Sequence, residues 1–189
     1  MRIISGEHKG VTLYLANKKN TRSLKDSVRE NIFNLLAHSN KINFQFEESN
    51  ILDLFAGTGA FGIECLSRQA KNVCFVEKAK DAIKILEKNI NKLKLKNRTS
   101  IFVNDVFSLI EKKNIFKSKF SLIFCDPPYK LENNKKLLET ISNKSLLNRN
   151  GIIILHRKKN NTEKLPHFYE IIDERIYGLS KITFGKILS

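Results

Sequence analysis

Four consecutive residues, Asp126-Pro127-Pro128-Tyr129, place an acid, a stiff corner and an aromatic ring directly after the apolar run Leu122-Ile123-Phe124-Cys125. Such a combination suits alkylation of a weakly nucleophilic planar amine. The lone pair of an exocyclic amine on a nucleobase is delocalised into the ring, so a catalyst must accept hydrogen bonds from its N–H groups to turn that pair toward an electrophile. Asp126 and the Pro127 carbonyl supply two acceptors. Proline adds no competing N–H donor, and its fixed φ holds the carbonyl in place. Pro128 completes the corner, and Tyr129 offers a face on which an extruded base can stack.

A second constellation lies upstream, in Asp53-Leu54-Phe55-Ala56-Gly57-Thr58-Gly59-Ala60-Phe61-Gly62. Gly57, Gly59 and Gly62 spell G-x-G-x-x-G after an apolar strand-like run, where a backbone must turn tightly and come close to a ligand. Glu77, at the end of the next strand-like run, is placed to accept hydrogen bonds from both hydroxyls of a ribose. Asp105, after Val103-Asn104, is placed to receive an adenine amino group. The glycines alone fit a dinucleotide as well as S-adenosyl-L-methionine. Asp53 favours the latter, because an acid just before the loop attracts a cationic methionine end and repels a pyrophosphate.

These residues need a scaffold that brings several strand ends to one edge. From residue 51, short apolar runs alternate with amphipathic stretches, the pattern of a parallel sheet covered on both faces. The expected strands are 51–55, 73–77, 101–104, 122–125 and 152–156, in a Rossmann-like, doubly wound α/β fold. Within 81–95, Ile83, Leu86, Ile90 and Leu93 recur at helical spacing, with lysines on the other face. The runs 169–176 and 181–188, separated by Gly178-Leu179-Ser180, predict an antiparallel C-terminal hairpin and complete a mostly parallel seven-stranded sheet. The N-terminal part lies outside this repeat: a hairpin-like 2–15, a basic loop 18–22 and a helix over 25–38. A polar stretch, 41–50, would join it to the core. The expected division is an extension, 1–45, packed on a catalytic domain, 46–189.

The chain of 189 residues carries 34 basic and 19 acidic side chains, a net charge of +15. A field of that sign concentrates polyanions, with nucleic acid as the natural partner. No run of 18 apolar residues exists to span a bilayer and no apolar secretory core follows Met1, so a soluble, cytoplasmic protein is expected. Cys65, Cys74 and Cys125 lie apart in apolar segments, and His8, His38, His156 and His167 are scattered. Neither a disulfide framework nor a metal site is expected.

Taken together, the Gly-rich loop and the Asp-Pro-Pro-Tyr segment resemble those of class I S-adenosylmethionine-dependent methyltransferases that modify exocyclic amines. The N-terminal segments Arg2-Ile3-Ile4-Ser5-Gly6, Lys9-Gly10, Arg22 and Asp26-Ser27-Val28-Arg29-Glu30-Asn31-Ile32-Phe33-Asn34 narrow the resemblance to the RsmD family of 16S ribosomal RNA guanine-N2 methyltransferases. It covers essentially the whole chain, departing where Ser23 and Leu24 stand in place of the family's Pro-Thr after Arg22. The resemblance implies cofactor contacts at Asp53, Phe55, Gly57, Gly59, Glu77 and Asp105. It implies amine-acceptor and stacking roles for Asp126, Pro127 and Tyr129, and substrate contacts at Pro128, Tyr129, Arg22 and Arg29. The implied partner is 16S rRNA in the small subunit or its assembly intermediate, met by a monomer without a metal. Adenine N6 in DNA or RNA, or a protein glutamine amide, would suit the same acceptors.

Overall fold

A computed structural model of the chain describes residues 1–16, 24–128 and 133–188. Five parallel strands, β1 Asn50–Leu54, β2 Asn72–Glu77, β3 Thr99–Val103, β4 Phe120–Cys125 and β5 Leu147–Lys158, form most of one sheet. The antiparallel pair β6 Tyr169–Tyr177 and β7 Ser180–Ile187 completes it, in the order β3-β2-β1-β4-β5-β7-β6. This is the expected seven-stranded, mostly parallel sheet with a C-terminal hairpin. The strand order reverses between β1 and β4, and a crevice opens beyond the carboxyl ends of the strands at such a point.

Why these runs are strands follows from burial on both faces. Ile51, Val73, Phe75, Leu122, Phe124, Ile152 and Ile154 point to one side, where α2 Ala60–Ser67 and α3 Lys80–Lys92 cover them. Leu52, Leu54, Val76, Ile123, Cys125, Ile153 and Leu155 point to the other, under α4 Val106–Ile110 and α5 Asn134–Asn143. Each fully buried aliphatic or aromatic side chain stabilises the fold by about 1.5–3 kcal/mol. The α3 helix ends earlier than expected, at Lys92, because Lys94 adopts a left-handed φ of 56° and a short 3-10 turn, Lys96–Arg98, follows.

The N-terminal helix, α1 Asp26–His38, buries Val28, Ile32, Phe33 and Leu36 against the first of these cores. Phe33 lies over Phe61 of α2 with centroids 5.0 Å apart, and Phe61 stacks on Phe124 of β4 at 3.8 Å. An aromatic column thus runs from the extension into the sheet. The expected hairpin over 2–15 is a shorter pairing, with a bridge between Arg2 and Thr12. Its loop bonds to α2 instead: Ile4 N–H and Ser5 N–H donate to the buried Glu64 carboxylate, and Glu7 N–H to the Ser67 carbonyl. The stretch 41–50 is also more than a polar spacer. Ile42 is buried, and Phe44 and Phe46 meet edge to face at 5.0 Å against the same core.

Candidate active site at the carboxyl edge of the sheet

Parallel register fixes which residues meet. Leu54 of β1 aligns with Cys125 of β4, and Cys125 aligns with Leu155 of β5. The residues that follow, Phe55, Asp126 and His156, therefore emerge side by side at one edge. Glu77 closes β2 beside Val103 of β3, with Asp105 two residues beyond. A cleft of about 750 Å³, counting the part open to solvent, lies here, lined by Asp53, Phe55, Gly57, Phe124, Asp126 and Arg29 among others.

Asp53 is 1% exposed and accepts the Gly62 N–H at 3.0 Å, pinning the start of α2. Burial pushes its carboxyl up to about 8; the Gly62 hydrogen bond opposes this, and the Asp126 and Glu77 charges add to it. A cation placed beside Asp53 would reverse the shift. The loop that follows is strained at Phe55, a non-glycine with φ 63°, a left-handed conformation costing roughly 1–2 kcal/mol. Gly57 has φ 56°, and a Cβ added there would meet nothing within 4 Å, so its bare backbone borders open space that a ligand can enter. Gly59 differs from Gly57 in what its missing side chain makes room for. Its added Cβ would lie 2.2 Å from Leu86 Cδ1, so its missing side chain serves packing behind the loop.

Glu77 Oε2 accepts the Gly57 N–H at 2.8 Å, while Oε1 accepts those of Lys78 and Ala79, each at 2.8 Å. Three of the roughly four acceptor positions of a carboxylate are thus used. Asp105 caps α4, its Oδ1 accepting from Phe107 N–H and Ser108 N–H, and its Oδ2 lies 3.0 Å from Lys78 Nζ. The Lys78 hydrogen bond is the main reason that its carboxyl is held below the usual range. Both partners of this bridge are exposed, so it contributes under about 1 kcal/mol and yields readily to an amino donor.

Asp126 is 20% exposed and its Oδ1 lies 2.7 Å from Nδ1 of His156, itself 3% exposed. Pro127 is buried and Pro128 exposed. Tyr129 and Arg22 lie outside the described residues. Arg29, expected at the substrate, is 1% exposed and lies in the wall of the cleft. Its Nη2 donates to the Arg2 carbonyl at 2.6 Å and sits 3.4 Å from Asp26, whereas Nε and Nη1 are buried with no hydrogen-bond partner among the described residues. Burial lowers its pKa. Two unpaired donors on a buried cation are costly, and a ligand carboxylate would complete them. With Asp53 across the same cleft, the wall carries one group for an ammonium and one for a carboxylate. The donor set fits the amino-acid end of an adenosylated methionine.

A family model described as Conserved hypothetical protein 95 matches residues 1–186. The chain belongs to that family. YlbH of Bacillus subtilis (strain 168) is 35% identical over 187 residues, spanning 98% of both chains. Ribosomal RNA small subunit methyltransferase D of Escherichia coli (strain K12) is 30% identical over 94% of this chain and 85% of its own. The solved structure of yhhF from Escherichia coli superposes with a TM-score of 0.84 over 100% of this chain and 98% of that one, at 24% identity, a likeness of fold. The RsmD-type membership expected from the motifs is borne out. The Conserved hypothetical protein 95 match takes in the extension and nearly all of the sheet, so every residue of the cleft described above falls inside it.

Two features of this family member escaped sequence reasoning. His156 reads as one of four scattered histidines, yet period-2 alternation puts it on the same face of β5 as Ile152 and Ile154, directly after the partner of Cys125. That parity was a usable signal. The Phe61–Phe124 stack lining the cleft had none, because it depends on how α2 crosses the sheet.

Proposed function

We propose that this methyltransferase transfers a methyl group from S-adenosyl-L-methionine to the exocyclic N2 of a guanine in small-subunit ribosomal RNA. The observation that carries the reading is the strand register that brings Asp126 to the rim of the cleft formed by Asp53, Phe55 and Gly57. When bound, the cofactor supplies an electrophilic methyl on a positively charged sulfur. Asp53 and Arg29 hold its ammonium and carboxylate, Gly57 lets its chain lie close to the loop, and Glu77 and Asp105 meet ribose and adenine. Asp126 and the Pro127 carbonyl accept the two N–H groups of the amine, and the stacking role is assigned to Tyr129. As the nitrogen–carbon bond forms and the carbon–sulfur bond breaks, positive charge moves onto nitrogen, where these two acceptors stabilise it. The extra proton then leaves to solvent.

The rRNA assignment draws on the relatives named Ribosomal RNA small subunit methyltransferase D and on the net charge of +15. Every group invoked comes from one chain, so a monomer suffices, and the reading places it in the cytoplasm with the small subunit or its assembly intermediate. Among the described residues, no helix is long and apolar enough to cross a membrane. The test offers labelled S-adenosylmethionine with small subunits, bare rRNA or DNA, followed by digestion to nucleosides. N2-methylguanosine from small-subunit RNA is expected; N6-methyladenosine, or label confined to DNA, would reassign the substrate.

A further inference from the structure

We propose that His156 is the positioning residue for Asp126: its ring holds one carboxylate oxygen so that the other is presented to the acceptor amine. The inference rests on the methyl-transfer reading above and adds to it a residue that does not itself touch substrate.

Asp126 needs such support. It follows the last residue of β4, and its own backbone N–H reaches the Leu54 carbonyl only at 3.5 Å. The two prolines after it have no N–H to give to a neighbouring strand. Its carboxylate is partly exposed, and its orientation within the cleft must come from a side-chain partner. The short contact between Oδ1 and Nδ1 of His156, at 2.7 Å, meets that need. An ionised carboxylate can only accept, so Nδ1 carries the proton in this pair, a charge-assisted hydrogen bond.

His156 is itself well held. It lies inside β5, a strand flanked by β4 and β7, and is aligned with Ile182 across the sheet. A group fixed by two strands thus steers one on a loop. With Oδ1 committed to the imidazole, Oδ2 is left for one N–H of the amine, and the Pro127 carbonyl takes the other. Acceptors that must meet a planar amine tolerate small angular errors only, so loss of the ring should reduce the chemical step and leave cofactor binding alone.

The experiment compares His156→Leu, which keeps bulk without a donor, with His156→Asn, whose amide N–H falls near the Nδ1 position, and His156→Gln, whose amide falls near Nε2. Single-turnover rates on small subunits and S-adenosylhomocysteine affinities are measured for each. His156→Leu should lower the rate about 10–100-fold, the usual scale for an outer-shell partner, with cofactor affinity within about twofold. His156→Asn should recover most of the rate and His156→Gln little. An unchanged rate in His156→Leu overturns the proposal. If that variant does not fold, equal rates in the Asn and Gln variants overturn it instead. Asp126→Ala, run alongside, separates the two levels: full activity there sinks the methyl-transfer role of Asp126, whereas inactivity there with an active His156→Leu sinks the positioning role only.

Discussion

The carboxyl of Asp53 should make cofactor binding and folding depend on pH in opposite directions. Its value of about 8 in the free protein means that roughly nine in ten molecules carry a neutral Asp53 at pH 7. Holding an ammonium or sulfonium requires the anion, so binding releases close to one proton at that pH. The anionic fraction grows from about 1% at pH 6 to about half at pH 8, and affinity should rise about 50-fold over that interval. Stability moves the other way. A carboxyl whose folded value lies above its unfolded value of about 3.9 stabilises the fold fully below that value, and the contribution disappears as pH rises through about 8. The slope is about 1.4 kcal/mol per pH unit. Asp53→Asn keeps an oxygen for the Gly62 N–H and cannot ionise. Relative to this variant, the wild-type chain should lose melting temperature from pH 5 to 8, by a few degrees per unit for a chain of this size. Calorimetric titration of S-adenosylmethionine into both proteins, in buffers of different ionisation enthalpy, gives affinities and protons released. The ratio of the two dissociation constants cancels titration of the ligand's own amine. A ratio that stays flat from pH 6 to 8, with no proton released on binding, would rule out a neutral Asp53 that ionises to hold the cofactor.

Three further outcomes are expected. Gly57→Ala should cost roughly 1–2 kcal/mol through its left-handed φ and also weaken cofactor binding, because its Cβ enters the cleft. Gly59→Ala, clashing with Leu86, should lower the melting temperature by an overpacking cost of about 1–3 kcal/mol while the folded protein still binds cofactor; equal binding losses in the two variants would contradict the placement of these glycines. Arg29→Met should cut affinity for S-adenosylmethionine about tenfold or more and leave that for its decarboxylated form nearly unchanged, since only the former has a partner for the guanidinium. An identical loss for both ligands would mean that Arg29 serves only to hold the Arg2 carbonyl. Binding to small-subunit RNA should weaken steeply between 50 and 200 mM salt, in line with counterion release, and a salt-independent affinity would argue against a polyanion partner.

Most of the fold was legible in the sequence because the central strands are buried on both faces, so Leu122-Ile123-Phe124-Cys125 and its counterparts read as unbroken apolar runs. Strand ends were less legible. β5 begins at Leu147, ahead of the expected 152, because Asn148, Arg149 and Asn150 are exposed and mask the apolar signal. The acids of the site were found through their position at strand ends, where type and spacing both constrain chemistry. What each does besides was hidden: Asp53 pins Gly62, Glu77 ties Gly57 and the start of α3, and Asp105 caps α4. These bonds join residues up to 20 apart in sequence and depend on backbone directions that composition does not encode. Arg29 was expected to contact substrate, and its burial, which follows from the N-terminal segment folding over α1, is a tertiary event. His156 illustrates the same limit, since its partner lies 30 residues away on an adjacent strand.

Methyl transfer to an exocyclic amine is the role proposed for the Asp126 loop, which strand register sets against the cleft. Its most direct test is single-turnover methylation of small-subunit RNA by the wild-type chain and by Asp126→Ala, with S-adenosylhomocysteine affinity measured on both. Loss of an acceptor aimed at the developing charge should slow the chemical step by about 10²–10³-fold or more, with cofactor affinity nearly unchanged. Methylation at the wild-type rate by Asp126→Ala would exclude that role for Asp126.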